Sequence, residues 1–266
     1  MNIAWMDTPA LKASAALHAA AAAGAVAVPA GWPWALGAVA VNHAVLTVAG
    51  LLPRSHLLGP NLTRLPDPAI ARREVALTID DGPDPAVTPR VLDLLDVVGM
   101  RASFFCIGRR ARQSPALCRE IVARGHRVEN HGDAHSKAFA LWGPSRMRAD
   151  IAAAQAGLAD ITGQAPTFFR ATAGLRNPFL DPVLRELNLR LASWTRRAFD
   201  TVHCDAPRMV RRLTRGLAPG DILLLHDGHA ARTSDGQAVI LAAMPALLLR
   251  LTSDQLQSVT LHDALA

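Results

Sequence analysis

Residues 75–83, Val-Ala-Leu-Thr-Ile-Asp-Asp-Gly-Pro, join a short apolar run to two adjacent carboxylates and a turn. The run contains β-branched residues, which is typical of a buried strand, and Gly82 and Pro83 end it. Adjacent side chains that leave a strand point in different directions. Asp80 and Asp81 are therefore able to divide two tasks, so that one binds a cation while the other faces a substrate.

Two other interpretations of the paired carboxylates stay open from this motif alone. Asp-Gly and Asp-Pro pairs also form ordinary acidic turns on protein surfaces. Some nucleotide hydrolases also carry an acidic strand end, but this sequence has no G-x-x-x-x-G-K-[ST] phosphate loop. The rest of the chain is needed to decide between a surface turn and a catalytic site.

Short β-prone runs alternate with longer amphipathic segments on the C-terminal side of residue 74. The predicted strands are 75–79, 102–105, 126–129, 168–170, 189–193, 222–225 and 258–261, and the predicted helices are 88–98, 115–124, 145–161, 181–186, 207–217 and 237–251. This alternation is typical of parallel βα units, which form either a barrel or an open doubly wound sheet.

Polar residues follow several of the predicted strands, where both architectures place function. His131 and His135 are four residues apart after the third strand, so one helical turn or tight loop brings both imidazoles to one metal. Together with Asp81 they make a two-His, one-carboxylate set that leaves positions open for water and substrate. Arg170 ends the fourth strand, and Asp200 and His226 follow the fifth and sixth.

Five segments resemble, in order, the five motifs of the polysaccharide deacetylase family, also called the NodB-like or carbohydrate esterase 4 family. They are 78–83 (TIDDGP), 125–135 (GHRVENHGDAH), 168–170 (FFR), Asp200 and 224–226 (LLH). The resemblance covers residue 75 to the C-terminus. It implies a distorted (β/α) barrel of about seven strands. It also implies a divalent metal, most often zinc, held by Asp81, His131 and His135.

The same resemblance assigns roles to four further residues. It implies that Asp80 is the catalytic base, His226 the catalytic acid, Arg170 the partner of Asp80, and Asp200 the partner of His226. Amide hydrolysis needs a base for the attacking water and a proton for the leaving amine, which these roles supply. A backbone N–H near Ala173 is expected to stabilise the oxyanion.

The sequence departs from the family pattern around the acyl pocket. Residues 171–174 read Ala-Thr-Ala-Gly where many relatives carry Pro-Pro-Tyr-Gly, and the chain has no tyrosine. Gly132 stands where Ser or Thr is usual, and Asp200 is followed by Thr201 instead of a neighbourhood that ends in tryptophan. These changes leave the reaction intact and put the substrate in doubt. Trp194 and Leu224 are candidate pocket walls, with a role in the core as the alternative.

Two apolar stretches, 11–29 and 32–52, precede the β/α part and are each near the length that crosses a bilayer. The connection between them, Pro-Ala-Gly-Trp-Pro, suits a tight hairpin with an interfacial tryptophan. Soluble alanine-rich helices, or a signal peptide over the first stretch, are the alternatives. We therefore divide the chain into a membrane-associated hairpin (1–56), a linker (57–73) and a catalytic domain (74–266).

The charges that flank the apolar stretches predict the side of the membrane. Lys12 lies at the start of the first stretch, the connection carries no charge, and four arginines follow the second stretch, namely Arg54, Arg64, Arg72 and Arg73. Positive charge favours the cytoplasm, so the catalytic domain is expected there with one span or with two. The three cysteines form no C-x-x-C pair, which agrees with a reducing compartment.

The formal charge of +6 and isoelectric point near 10.4 suit an anionic partner such as nucleic acid, an acidic membrane surface or a phosphorylated substrate. The arginines are scattered instead of forming a basic stripe with interleaved aromatics, which argues against nucleic acid. No obligate protein partner is inferred.

The sequence thus predicts a metal-dependent hydrolase that removes an acetyl or formyl group from an amino sugar. The expected substrate is a lipid-linked saccharide at the bacterial inner membrane, as for family members that act on undecaprenyl-phosphate-linked sugars. One alternative is a periplasmic deacetylase of chitin, peptidoglycan or exopolysaccharide. Another is a non-catalytic carbohydrate-binding relative, against which the intact Asp80 and His226 argue.

Overall fold

The computed structural model describes residues 8–266, so the first seven residues of the predicted hairpin segment lie outside the described part. The chain begins with two long helices, α1 (Pro9–Ala27) and α2 (Trp32–Leu51), joined through a 3₁₀ turn at Pro29–Gly31. The Thr8 hydroxyl accepts the N–H of Leu11 at 3.4 Å and caps α1. The predicted two-helix hairpin is therefore present.

Both hairpin helices are long and apolar enough to cross a membrane. The mean hydropathy is 1.3 over Pro9–Ala27 and 1.6 over Pro29–Leu51, and only 11% of each window is buried. Polar contacts join the helices, since Asn42 Nδ2 donates to Ser14 Oγ at 2.8 Å and the Nε2 atoms of His18 and His43 lie 3.2 Å apart. Such bonds hold helices together in lipid. By length and composition the helices fit a membrane anchor, and the same features also occur in signal sequences.

The remainder of the chain alternates strands and helices. The strands are β1 (Glu74–Asp80), β2 (Ala102–Cys106), β3 (Arg127–Asn130), β4 (Phe168–Phe169), β5 (Arg190–Leu191), β6 (Arg196–Arg197), β7 (Ile222–His226) and β8 (Gln257–Ser258). The helices are α3 (Asp67–Ala71), α4 (Thr88–Val97), α5 (Gly108–Gln113), α6 (Pro115–Ala123), α7 (Pro144–Thr162), α8 (Leu180–Glu186), α9 (Ala206–Thr214), α10 (Val239–Ser253) and α11 (Leu261–Ala264). Two further 3₁₀ turns lie at Phe139–Leu141 and Thr172–Gly174.

The strands form one parallel sheet in the order β5-β4-β3-β2-β1-β7-β6, with β8 beside the start of β1. Because β5 and β6 end this order, the sheet is an open half-barrel. The predicted distorted (β/α) barrel of about seven strands is confirmed. The strand missing from the prediction is β6.

The main boundary error lies near the C-terminus, where a strand was predicted over 258–261. The strand is only two residues long, and Leu261 begins α11. The cause is a helix cap, because the Thr260 side chain accepts the N–H of Asp263 at 3.1 Å. An apolar run alone cannot reveal such a cap.

The central strand β1 is buried along nearly its whole length and presents different residues to its two faces. Leu77 and Ile79 pack into the core between the sheet and the outer helices, whereas Ala76 packs inside the half-barrel with Phe105 and Leu224. Since side chains alternate along a strand, Asp80 shares the inner face with Ala76. This alternation places Asp80 within the half-barrel.

The base of the hairpin is fixed to the half-barrel. The N–H of Arg176 donates to Gly50 O at 3.0 Å, and the Ser193 hydroxyl donates to Pro53 O at 2.6 Å. Arg176 and Ser193 follow β4 and β5, so the hairpin is attached at the carboxyl ends of these strands. Leu58 is buried against α1 and α2.

The segment 57–73, predicted as a linker, contains structure of its own. Leu62 forms a parallel bridge with Ala192, and α3 buries Ala69 against the half-barrel. The division of the chain at residues 56 and 73 remains a prediction.

Candidate active site

Neighbouring strands bring Asp80 and His226 together. β1 and β7 pair in parallel, and Asp80 stands opposite His226 in the register. Both residues end their strands, and both side chains are buried. The first and last motifs of the sequence therefore meet at the carboxyl edge of the sheet.

Arg170 is a fully buried cation that fixes one oxygen of Asp80. Its Nη1 donates to Asp80 Oδ1 at 2.7 Å and to Thr78 Oγ1 at 2.8 Å. Its Nε and Nη2 donate to the carbonyl oxygens of Ala192 and Ser193 at 3.1 and 2.8 Å. Burial lowers the pKa of Arg170, and the charge of Asp80 opposes this shift. The contact predicted between Arg170 and Asp80 is present.

Asp200 contacts His226 through both carboxylate oxygens. Oδ2 accepts the backbone N–H of His226 at 2.7 Å, and Oδ1 lies 2.8 Å from Nδ1. The hydrogen on Nδ1 points to Asp200, which leaves Nε2 for the cleft. Burial lowers the pKa of His226, but the hydrogen bond and charge of Asp200 outweigh it, and the net shift is upward.

Asp81 lies among imidazoles. Its Oδ1 is 3.2 Å from His131 Nε2 and 2.9 Å from His135 Nε2. Burial alone would raise the pKa of Asp81, but the surrounding imidazoles lower it well below its usual range. Asp81 and His135 both have positive φ angles, 74° and 48°, a backbone conformation that is held at a cost. The three predicted ligands are thus brought together.

The hydrogen positions on His131 test whether this cluster fits a cation. Nδ1 lies 2.8 Å from Arg170 O, and a carbonyl only accepts, so in the neutral ring that a metal requires, Nδ1 carries the hydrogen and Nε2 the lone pair. That lone pair faces Asp81 Oδ1, a buried oxygen with no hydrogen-bond donor among the described residues. Two lone pairs at 3.2 Å repel each other unless a cation lies between them. Asp81, His131 and His135 therefore fit a divalent metal ion.

His229 is a site residue that the sequence reasoning missed. Its Nδ1 lies 2.9 Å from Asp81 Oδ2, and the possible ligand atoms of Asp81, His135 and His229 all lie within 4.8 Å of one another. Arg110 Nη2 approaches His229 Nε2 at 2.9 Å. The available signal was the short spacing from His226 in His-Asp-Gly-His, which alone is not specific.

One cleft of about 760 Å³ is lined by the two carboxylates and four imidazoles of the site, namely Asp80, Asp81, His131, His135, His226 and His229. Trp194 and Leu224, named above as candidate pocket walls, both line it, as do Thr172, Ala173 and Gly174. Four cationic side chains also line the cleft, namely Arg109, Arg110, Lys137 and Arg197. The cleft therefore combines a metal-binding cluster, an apolar wall and a positively charged rim.

Comparison with known proteins identifies the family. The polysaccharide deacetylase family model matches residues 69–192. A chitooligosaccharide deacetylase of Bradyrhizobium sp. (strain ANU 289) is 33% identical over 158 residues, which span 59% of this chain and 72% of that protein. The chain belongs to the polysaccharide deacetylase family.

Two further matches extend this relationship. The chain is 28% identical over 206 residues to the peptidoglycan-N-acetylglucosamine deacetylase PgdA of Listeria monocytogenes, covering 77% of this chain but only 42% of that longer protein. A family 4 carbohydrate esterase from Streptomyces lividans, solved with acetate, is 31% identical, with a TM-score of 0.63 over 70% of this chain and 91% of its own.

Family membership, the fold and the metal-binding cluster identify the chain as a metal-dependent deacetylase of N-acetyl amino sugars. The half-barrel is the family 4 carbohydrate esterase fold.

Proposed function

We propose that this polysaccharide deacetylase removes an acetyl or formyl group from an amino sugar carried on a membrane lipid, at the cytoplasmic face of the inner membrane. The observation that carries the proposal is the position of the hairpin base, where Pro53 lies so close to Gly174 of the cleft wall that a Cβ atom there would come within 2.8 Å of it. The metal is zinc in this proposal, because carboxylate and imidazole ligands suit it.

The chain's own residues account for the proton transfers. A bound metal would polarise the acyl carbonyl and activate a water molecule. Asp80, with Oδ1 held by Arg170, uses Oδ2 as the base that takes a proton from the attacking water. His226, oriented by Asp200, gives a proton from Nε2 to the leaving amine. The backbone N–H near Ala173, a residue of the cleft wall, donates to the oxyanion.

The hairpin base supports delivery of a substrate from the membrane. A side chain at Gly174 would collide with both Pro53 and Trp194. These two residues therefore pack against the same part of the cleft wall. Arg54 Nη1 donates to the carbonyl of Thr195 at 3.3 Å. The base of the hairpin thus lies against the wall of the cleft, which supports entry of a lipid-borne sugar from the membrane.

The packing of the hairpin supports a permanent membrane anchor and argues against a cleaved signal peptide. Its open end rests on the β/α unit, where Leu11 and Ala49 cover Leu58, which is 1% exposed. Its closed end carries Trp32 and Trp34, which are 59% and 85% exposed. Removal of α1 would uncover Leu58, whereas two tryptophans at the far end suit a membrane interface.

The cations of the cleft support a phosphorylated substrate. Arg197 lies over the rings of Trp194 and Phe199, with its guanidinium carbon 5.5 and 4.9 Å from the ring centroids. Its Nε is buried without a hydrogen-bond partner among residues 8–266. Arg197 also lines the cleft, where the terminal nitrogens of a guanidinium held in this way can bind a phosphate oxygen.

The charge distribution supports the cytoplasmic side. Both ends of the hairpin face the β/α unit, so Lys12 and Arg54 lie on the same side as the catalytic cleft. The Pro29–Gly31 turn carries no charged residue. Positively charged flanks resist translocation.

A periplasmic deacetylase of polymers is the second candidate, supported by the relatives that act on chitooligosaccharides and peptidoglycan. A reporter fused after Ala266 discriminates between the two. Activity of the reporter only in the periplasm would overturn the cytoplasmic proposal and favour polymer substrates. Activity only in the cytoplasm supports it.

The substrate is tested on purified full-length protein in detergent. A polyprenyl-phosphate-linked N-acyl amino sugar should be hydrolysed with a higher kcat/KM than a neutral chitooligosaccharide. Arg197→Gln should weaken this preference for the phosphorylated substrate, and Arg250→Gln, a surface change in an i,i+4 pair with Asp254, should not. Equal kcat/KM values for both substrates in the wild type would contradict the lipid-linked proposal.

A further inference from the structure

The proposed mechanism gives no role to His229, a residue of the cleft. It contacts Asp81 and lines the cleft, with 48% of its side chain exposed. Its position allows two roles. It either binds the metal as a further ligand, or it holds the Asp81 carboxylate through a hydrogen bond.

Arg110 decides which ring nitrogen of His229 carries the hydrogen. A guanidinium has donors and no acceptor, so the contact of Arg110 Nη2 with Nε2 at 2.9 Å requires a lone pair on Nε2. The neutral ring then carries its hydrogen on Nδ1, which lies 2.9 Å from Asp81 Oδ2. A nitrogen that carries a hydrogen cannot bind a metal.

Arg110 is itself firmly placed. Its Nη1 donates to Asp81 O at 2.9 Å and to Gly228 O at 2.8 Å. A side chain at Gly228 would collide with the Asp81 carbonyl and with Nη1, so only glycine allows this close approach. The guanidinium thus ties the loop after β1 to the loop after β7 and fixes the ring of His229.

We infer that His229 is a positioning residue, which donates from Nδ1 to Asp81 Oδ2 and so directs Oδ1 toward the metal. The inference rests on the proposed metal ligands Asp81, His131 and His135. Oδ1 faces His131 and His135, and Oδ2 faces His229, so the two oxygens have separate partners. Partners that orient a metal ligand affect metal affinity about 10- to 100-fold.

The test measures binding of Co²⁺ and Zn²⁺ to the full-length protein in detergent, by competition with a chromophoric chelator. His229→Leu should weaken both affinities roughly 10- to 100-fold. His229→Asn should restore affinity to within a few-fold of wild type, because the Asn amide nitrogen can replace Nδ1 as donor. His262→Ala is the control, since His262 is similarly exposed and its one ion pair within residues 8–266 is with the neighbouring Asp263.

The Co²⁺ absorption spectrum separates the two roles. A positioning residue leaves the band positions unchanged in metal-saturated His229→Leu protein, whereas loss of a ligand shifts them. A shifted spectrum, or unchanged affinity in His229→Leu, would overturn the inference. His131→Ala reports on the proposed site itself, because normal metal binding in that variant would show that the ligand assignment has failed instead.

Discussion

Asp200 holds His226 at two points, its backbone N–H at 2.7 Å and its Nδ1 at 2.8 Å. The carboxylate is fully buried, so its charge acts on the imidazole with little screening by water. The result is an imidazole of fixed orientation with its pKa raised above the ordinary value. A proton donor in this position would stay charged at a higher pH than a free histidine.

Asp200→Asn should therefore move the alkaline limb of the pH profile of kcat/KM to lower pH. Burial, which lowers the pKa of His226, would remain while the charge of Asp200, which raises it, would be lost, so the donor loses its proton at a lower pH. The rate at the optimum should also fall, by roughly 10²-fold for a disturbed proton-transfer group. Asp254→Asn serves as a surface control. An unchanged alkaline limb in Asp200→Asn would remove His226 from the role of acid.

Removal of the metal should abolish deacetylation, and added Zn²⁺ or another divalent ion should restore it. His131→Ala and His135→Ala should each lose the metal and keep their circular dichroism spectrum, because both residues lie in the segment that follows β3 and not in the apolar core. Metal content is measured after dialysis, with His262→Ala as control. Full activity of metal-free His131→Ala protein would refute the ligand assignment.

Asp80→Asn and His226→Ala should keep the metal and lose turnover by roughly 10²-fold or more, the usual scale for a positioned proton-transfer group. The reason is that Asp80 is placed by Arg170, and His226 by Asp200, outside the three proposed ligands. Metal content and kcat measured on the same samples check both parts. Rates within a few-fold of wild type would place the proton transfers elsewhere.

Arg170→Met should destabilise the protein by about 3–5 kcal/mol, because it leaves the buried Asp80 without its cation. The double variant Asp80→Asn/Arg170→Met should recover part of this loss, since it no longer buries an unpaired charge. Urea unfolding of the metal-free proteins measures both values. Arg250→Met, a change in an exposed pair, should cost less than about 1 kcal/mol. Equal stabilities of the single and double variants would argue against the buried ion pair.

Glu129 should make stability depend on pH. Burial raises the pKa of Glu129 to about 7, although the N–H groups of Thr167 and Phe168, which both donate to Oε2, oppose this shift. Between pH 4.5 and 7 the folded chain therefore keeps a proton that the unfolded chain has released, and stability falls as pH rises, by up to about 3 kcal/mol. Glu129→Gln should flatten this slope in urea unfolding measured from pH 5 to 8. The same slope in both proteins would show that Glu129 does not titrate in this range.

The parts of the fold that could be predicted are those with an apolar pattern of sufficient length. β1, β2 and β7 carry largely apolar runs, and their predicted bounds differ from the observed ones by one residue at each end or less. β6 consists only of Arg196 and Arg197, so it has no pattern to detect. α5 was not predicted for a similar reason. Three of its six residues are arginines, which leave little apolar periodicity.

In the site, too, residues that stand in sequence motifs could be predicted, and a residue placed by loop packing could not. Asp80, Asp81, His131 and His135 stand in motifs whose spacing predicts a shared position, and the parallel sheet brings them together. The contact of His229 with Asp81 depends on how the loop after β7 folds over the loop after β1, and on Arg110 from α5. Contacts between loops leave no period or spacing in the sequence.

Pro53, two residues after the end of α2, lies directly against Gly174 of the cleft wall, so α2 ends next to the cleft. With the hairpin in a bilayer and the lipid-linked substrate proposed above, the enzyme would meet its substrate by lateral diffusion, in two dimensions. Its rate would then follow the mole fraction of substrate among the lipids, and adding inert lipid at constant total substrate would slow it. An enzyme on a long flexible tether, acting on a dissolved polymer, would be indifferent to that dilution.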